Sequence, residues 1–356
     1  MSQPRKLMVM AGGTGGHVYP AIAVADVLHA RGWQVVWLAS AGGMENRLIA
    51  NKPYDKAVMQ VQGVRGKGLA GWLALPLRLG RAFAQAYAAI RQHQPDVVLG
   101  MGGYAAFPGG VMSKLAGVPL AVHEQNSIAG WTNKVLAKLA NQVLTGFPAT
   151  LGKRSVMVGN PVRADISDLP LPEARFAQRS GPLRVLVVGG SLGATALNSL
   201  LPQAFARLPE AQRPQIVHQS GEKHLAALQQ AYAQAGVTAD CRAFIHDMAA
   251  VYSWADLVVC RSGALTVAEL ANVGIGSILV PFPFAVDDHQ TTNAAYLQQA
   301  GAALLIQQRD LEVQTLAQTL QALDRDTCLQ MARKARALAR PQAAEEVANL
   351  LQTMAA

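Results

Sequence analysis

Cysteine is scarce in this chain. The three that occur, Cys241, Cys260 and Cys328, are far apart and form no CxxC pair. That argues against a zinc ribbon or a disulfide framework and suits a reducing compartment. Long apolar runs are missing as well. The first, Leu7–Ala11, stops at glycine and is too short for the core of a signal peptide. The longest uncharged stretches, 97–113 and 270–286, are interrupted by Gly102, Gly103, Pro108, Gly109 and Gly110, and by Gly274, Gly276, Pro281 and Pro283. They read as buried strands running into loops, not as membrane-spanning helices.

Two nucleotide signatures are absent too. The run Gly12-Gly13-Thr14-Gly15-Gly16-His17 does not complete GxGxxG, because Val18 stands where the third glycine belongs. The next strand ends in Ala39-Ser40-Ala41, without the acidic residue that holds a ribose in nicotinamide enzymes. No GxxxxGK[ST] occurs, which argues against a P-loop ATPase. No His, Cys or carboxylate cluster has metal-ligand spacing. The one run of suitable residues, Asp287-Asp288-His289, reads as a solvated loop.

What is present is a pattern that occurs twice, about half a chain apart. Leu7–Ala11 runs into Gly12–Gly16, and Val185–Val188 runs into Gly189-Gly190-Ser191-Leu192-Gly193. A helix-like stretch comes after each turn, over 21–28 and 194–208. Glycine-rich turns after a strand let backbone N–H groups approach a phosphate or sugar. Short apolar strands alternate with helical stretches throughout. Strands are expected at 7–11, 35–39, 58–61, 97–101, 120–123 and 142–145, and again at 184–188, 215–219, 241–245, 257–260, 277–280 and 303–306. Helices are expected at 77–93, 129–140, 222–234 and 290–299. Such alternation implies parallel sheets covered on both faces, here in two α/β domains. The segment 159–183 holds four prolines and reads as the linker. The last stretch, 341–354, reads as a helix that could pack on either domain.

Charge is unevenly divided. Residues 1–178 carry 18 Lys and Arg against 8 Asp and Glu, whereas 179–356 carry 13 against 14. The basic excess of the first half would suit nucleic acid, an anionic membrane or a phosphorylated substrate, or a solvated surface with no partner. Nucleic acid is disfavoured, because the cations are scattered without interleaved aromatics or a reading motif.

Ligands of open parallel sheets bind at the carboxyl ends of the strands. There the sequence places Thr14 to His17, Tyr104, His123 to Asn126, Ser191, Arg261 to Glu269 and Asp287 to Gln290. The run Ser262-Gly263 before a helix exposes the N–H groups of Ala264, Leu265 and Thr266, a site suited to a diphosphate. Glu269 would lie near that end, where a carboxylate can accept from two ribose hydroxyls. His17 is the best candidate base, since a helix start favours a neutral imidazole. Glu124 is its rival.

The motifs GGTGGHVYPA, GMGGYAAFPGG, HEQNSIAG, GNPVR, VVGGSLGA, CRSGALTVAE and DDHQTTNA occur in this order. Together they closely resemble the MurG family of bacterial glycosyltransferases over essentially the whole chain. The resemblance implies a GT-B glycosyltransferase: an α/β protein of two Rossmann-like, doubly wound domains with an interdomain cleft. Residues 1–162 would form the acceptor- and membrane-side domain, with 341–356 packing back on it, and 163–340 the UDP-sugar-binding domain. The implied reaction moves N-acetylglucosamine from UDP-N-acetylglucosamine to the 4-hydroxyl of the muramyl sugar of lipid I, with inversion, giving lipid II for peptidoglycan. No metal or other cofactor is implied, and no nucleic acid. The implied location is peripheral, at the cytoplasmic face of the inner membrane among anionic lipids.

Carried onto this sequence, the resemblance implies sugar and phosphate contacts from Thr14, Gly15 and Gly16. It implies sugar contacts from Asn126 and Gln290, nucleotide contacts from Arg163 and Ser191, and a uracil contact from the backbone of Ile245, taken to lie on a strand edge. Ala264, Leu265, Thr266, Val267, Ala268 and Glu269 would hold diphosphate and ribose, and Tyr104 would face the acceptor. A nucleotide-sugar epimerase could share this architecture, but the acceptor-side motifs GGYAAFPGG and HEQN favour a transferase. The segment 64–81 sets Leu69, Trp72, Leu73, Leu75, Leu77 and Leu79 among Arg65, Lys67, Arg78 and Arg81, a composition suited to an anionic bilayer.

Overall fold

The computed structural model describes residues 4–60, 75–148 and 150–356. The chain divides into two compact units: Met1–Arg163 with Gln342–Ala356, and Ala164–Pro341.

The first unit is built on β1 (Lys6–Ala11), β2 (Gln34–Ser40), β3 (Asp55–Met59), β4 (Val97–Gly102), β5 (Leu120–Glu124), β6 (Gln142–Thr145) and β7 (Ser155–Met157). Among the described residues these pair in parallel in the order β3-β2-β1-β4-β5-β6-β7. Strand β1 is apolar at nearly every position because helices cover both of its faces. Leu7, Val9 and Ala11 join one core with Val18, Ile22 and Ala25 of helix Gly15–Ala30. Met8 and Met10 join another with Ala86 and Ile90 of helix Leu75–His93. The helix Ala343–Met354 also belongs to this unit. Its Val347, Ala348 and Leu351 are buried in the same core as Leu7 and Val9. Arg31 ties it down by an ion pair to Glu345 and a 2.8 Å bond to Asn349.

The second unit repeats the plan with β8 (Arg184–Val188), β9 (Gln215–Gln219), β10 (Asp240–Arg242), β11 (Leu257–Cys260), β12 (Gly276–Leu279) and β13 (Ala303–Leu305). Among the described residues they pair in parallel as β10-β9-β8-β11-β12-β13. Val185, Val187, Leu257, Val259 and Ile278 pack in its core against Leu197, Leu201 and Phe205.

The order in which strands are added therefore reverses once in each sheet, between β1 and β4 and between β8 and β11. Connections leave those strand pairs in opposite directions, which opens a crevice at their carboxyl ends. The two glycine-rich turns sit at these two places.

Two expected strands have other bounds, and one observed strand was not expected. Strand β3 begins earlier than expected, at Asp55. Strand β7 is a three-residue edge strand with Val156 half exposed, too short to show an apolar run. Strand β10 stops at Arg242, and Ile245 lies in the loop beyond it. Its N–H is donated to the Gln219 side chain at 2.8 Å instead of to a strand. The expectation of a strand edge at Ile245 is corrected accordingly.

Candidate functional site

In the first unit, the turn after β1 leads into helix Gly15–Ala30 with Thr14 at the N-cap, in extended backbone and without a side-chain capping bond. His17 is half-buried in the first turn of that helix. Its Nδ1 lies 3.0 Å from the carbonyl oxygen of Gly12. A carbonyl only accepts, so Nδ1 carries the proton and Nε2 of the neutral ring keeps its lone pair. Nε2 faces the end of β4, where a Cβ added at Gly102 would stand 3.1 Å from it. Gly103 has φ of 91°, and a Cβ there would collide with the Gly12 carbonyl oxygen. The backbones after β1 and β4 thus approach each other as only glycine permits, with the imidazole between them. Tyr104 is next in the chain and is half exposed.

At the end of β5, Glu124 is buried and accepts four bonds. Oε1 takes the N–H of Asn126 at 2.9 Å and its side-chain amide at 3.3 Å; Oε2 takes the N–H of Gly130 at 3.0 Å and the amide of Asn133 at 2.9 Å. This carboxylate folds the HEQN turn and so places Asn126. His123 beside it is fully buried. Its Nε2 donates to the Gly159 carbonyl at 2.9 Å and its Nδ1 lies 3.2 Å from the Gln125 amide. Burial pulls its pKa down to about 4, against a smaller upward pull from the Gly159 bond and the Glu124 charge. Arg163, at the end of this unit, lies over the Tyr19 ring at 5.6 Å.

In the second unit, helix Ala264–Val273 starts at Gly263, whose backbone is extended, directly after β11 and the buried Ser262. The helix is braced at its other end. Arg175 donates to the carbonyls of Val273, at 3.0 Å, and Gly274, and Arg336 donates to Asn272. Cations at a helix C-terminus complement the dipole and leave its positive end available for an anion. Burial holds the Arg175 pKa down, to about 10, still far above neutrality. Within this helix are Leu265, Thr266, Val267, Ala268 and Glu269. Glu269 is half-buried, and Tyr252 donates to its Oε2 at 3.0 Å. Arg261 is committed within the protein. It donates to the carbonyls of Val280 and Pro281 at 3.0 and 2.9 Å and to Gln308 at 2.6 Å. It thereby fixes the loop whose Phe282 N–H is accepted by Gln290 at 2.9 Å.

Ser191 is exposed in the turn after β8. A buried network supports that turn: Gln219 donates to the Gly190 carbonyl at 2.9 Å, and Asn198 donates to Ser220 at 3.0 Å. His218 bridges Asn198 and Tyr232 at 3.1 and 2.9 Å, and burial lowers its pKa to about 3. Asp287, Asp288 and His289 do not converge on one point. His289 bonds the Val286 carbonyl and Asp288 accepts from Thr291.

Sequence reasoning missed Glu45, Gln219 and Tyr252. Each is buried and holds a loop or side chain of the site.

Two parallel-sheet units with glycine turns at their reversal points define a GT-B glycosyltransferase fold. Known proteins narrow this. The glycosyltransferase family 28 N-terminal domain matches residues 7–145, and the family 28 C-terminal domain matches 184–352. The UDP-N-acetylglucosamine–N-acetylmuramyl-(pentapeptide) pyrophosphoryl-undecaprenol N-acetylglucosamine transferase of Azoarcus sp. strain BH72 is 56% identical over 99% of this chain and 98% of its own. The protein of the same name from Burkholderia multivorans is 56% identical over 99% of this chain and 96% of its own. The crystal structure of Acinetobacter baumannii MurG superposes with a TM-score of 0.87 at 42% identity, covering 98% of this chain and all of that one. The chain belongs to glycosyltransferase family 28 and, within it, to the MurG family.

Proposed function

We propose that this protein transfers N-acetylglucosamine from UDP-N-acetylglucosamine to the muramyl 4-hydroxyl of an undecaprenyl-diphosphate-linked N-acetylmuramyl-pentapeptide, with inversion. Near-full-length identity to relatives named for this transfer supports the reaction. The observation that carries the mechanism is the His17 imidazole, tied at Nδ1 to the Gly12 carbonyl and left basic at Nε2.

Nε2 of His17 takes the proton of the acceptor hydroxyl as its oxygen attacks the anomeric carbon. The bond from that carbon to the diphosphate breaks, and UDP leaves with the electron pair. Glu124, with four donors on its two oxygens, is the poorer base. Its part is to hold Asn126, which with Thr14, Gly15 and Gly16 of the same unit binds the sugar. Tyr104 stands on the acceptor side. The second unit holds the nucleotide. The start of helix Ala264–Val273 takes the diphosphate and stabilises the charge that develops on it. Glu269 takes the ribose hydroxyls, Ser191 lies along the nucleotide, Gln290 meets the sugar, and the Ile245 backbone meets uracil. Labelled UDP-N-acetylglucosamine and a soluble lipid I analogue should give labelled disaccharide and UDP. UDP release without disaccharide would overturn the transferase reading.

Glu269→Ala should weaken UDP binding by roughly 1.5–3 kcal/mol, the value of a hydrogen bond to a charged group. Tyr252→Phe should cost less, since it removes only the bond that orients the carboxylate. Titration calorimetry measures both, and an unchanged affinity in Glu269→Ala would remove that residue from the site.

We also propose that the first unit meets an anionic bilayer at the cytoplasmic face of the inner membrane. Among the described residues no helix is long and apolar enough to cross a membrane. Residues 61–74, with Arg65, Lys67, Leu69, Trp72 and Leu73, lie outside the described residues, and the side chain of Leu75 does too. The helix beginning at Leu75 supports the reading. Helix Leu75–His93 exposes Leu77 to 81%, beside exposed Arg78 and Arg81. Its Phe83 ring lies tilted against Phe107 at 5.8 Å, and Phe107 tilted at 5.2 Å against Trp131, which is 67% exposed. Leucine and tryptophan held in water have no folding reason, and cations beside them suit phospholipid headgroups. Arg78→Ala with Arg81→Ala should weaken binding to anionic vesicles about 10–30-fold, at about 1 kcal/mol per cation, while sparing UDP affinity. Co-sedimentation with anionic and neutral vesicles decides it; equal binding by wild type and variant would place the membrane face elsewhere.

A further inference from the structure

The carboxylate of Glu45 is completely buried, yet it lies in none of the motifs that mark the donor or acceptor sites. It sits in the short helix Glu45–Leu48 after β2, beneath the turn that ends β1. Its Oε1 accepts the Ser40 N–H at 2.8 Å, and its Oε2 accepts the Gly13 N–H at 3.4 Å. The cradle is shaped for it. A Cβ added at Gly12 would stand 2.8 Å from Oε1, and one at Gly43 would collide with the same carboxylate.

The Gly13 N–H and the Gly12 carbonyl are the two ends of one peptide group. One end meets Glu45, and the other accepts Nδ1 of His17 at 3.0 Å. A peptide whose N–H faces an anion is held in one orientation, and its carbonyl oxygen is made a stronger acceptor. We propose that Glu45 is a positioning residue for His17, acting through the Gly12–Gly13 peptide. It fixes that peptide so that the carbonyl binds Nδ1–H and leaves Nε2 as the base. The arrangement is a carboxylate–histidine pair with a peptide unit interposed. The proposal rests on the transferase reading with His17 as base.

Packing alone would be satisfied by Glu45→Gln, which is nearly isosteric. The relay would not. With one oxygen kept on the Ser40 N–H, the Gln amide nitrogen would face the Gly13 N–H, donor against donor. Glu45→Gln should therefore lower kcat about 10–100-fold, the equivalent of one hydrogen bond to a charged group, with donor KM and UDP affinity nearly unchanged. Nitrogen-15 NMR of labelled histidine gives the independent readout. In the wild-type protein Nδ1 of His17 should be protonated and Nε2 not, and in Glu45→Gln the two tautomers should mix. Wild-type kcat with an unmixed tautomer in Glu45→Gln would overturn the proposal. So would an unprotonated Nδ1 in the wild-type protein, which tests the relay even if the variant does not fold. Failure of the wild-type protein to form disaccharide would instead remove the transferase reading and leave the tautomer measurement standing.

Discussion

His17→Ala should lower turnover by about 10²–10⁴-fold, the range for loss of a positioned general base, while UDP affinity changes little. The expectation comes from where the imidazole stands. Its Nδ1 is committed to the Gly12 carbonyl and its Nε2 faces the crevice beside Gly102, so the ring makes no contact that the rest of the fold requires. The diphosphate contacts proposed for the second unit are left intact by the deletion. His17→Gln is the sharper variant, because an amide can donate to Gly12 but cannot accept a proton at neutral pH. Single-turnover measurement with saturating donor separates chemistry from binding. Equal losses in turnover and UDP affinity would assign His17 to binding, and a retained rate would return the base role to Glu124.

The second large effect is on stability in acid. His123 and His218 are buried one in each unit, and burial depresses both pKa values, to about 4 and about 3. Above the ordinary histidine value of 6.5 both residues are neutral folded and unfolded, and neither adds a pH dependence. Below it the unfolded chain takes up protons that the folded chain refuses. Stability therefore falls as pH drops through 6.5, and continues to fall until each folded pKa is reached. Each histidine contributes a slope of roughly 1.4 kcal/mol per pH unit. Denaturant titrations at pH 7, 6 and 5 should show this loss. His218→Gln should be less stable at pH 7, because it disturbs the bonds to Tyr232 and Asn198, yet show a shallower slope. The same slope in wild type, His123→Gln and His218→Gln would mean that other groups carry the acid sensitivity.

Much of the architecture is legible in the sequence, because the strands that matter are short and apolar and end in glycine. Leu7–Ala11 and Val185–Val188 announce themselves in this way, and the topology then delivers their turns to the two reversal points. The motif residues around those turns are legible for the same reason: they are consecutive. What supports them is not. Glu45 meets Gly13 from 32 positions away, Tyr252 meets Glu269 from 17, and Gln219 meets Ile245 from 26. Each is an isolated polar residue in sequence, and only the fold shows that its side chain is buried and committed. Ile245 itself reads as strand because Cys241–Ile245 is largely apolar. The Gln219 side chain supplies the partner that a neighbouring strand would have given, so the strand ends early. Trp131 and Phe107 are separated from Phe83 in sequence, so the apolar patch they form cannot be read from helix Leu75–His93 alone.

The helix Ala343–Met354 carries one more consequence. It follows the whole of the second unit in sequence, yet Val347, Ala348 and Leu351 fill the core of the unit that precedes the second. Burial of a valine or leucine side chain is worth roughly 1.5–3 kcal/mol, so the first unit lacks a substantial part of its core until residues 342–356 have been made. The second unit, Ala164–Pro341, has all its strands in hand before that helix emerges. The usual vectorial order, in which the amino-terminal domain completes itself first, is thus inverted at the final step. A nascent chain arrested near Pro341 would hold the whole of the second unit, while the first would still lack Val347, Ala348 and Leu351 from the core that helix Gly15–Ala30 shares.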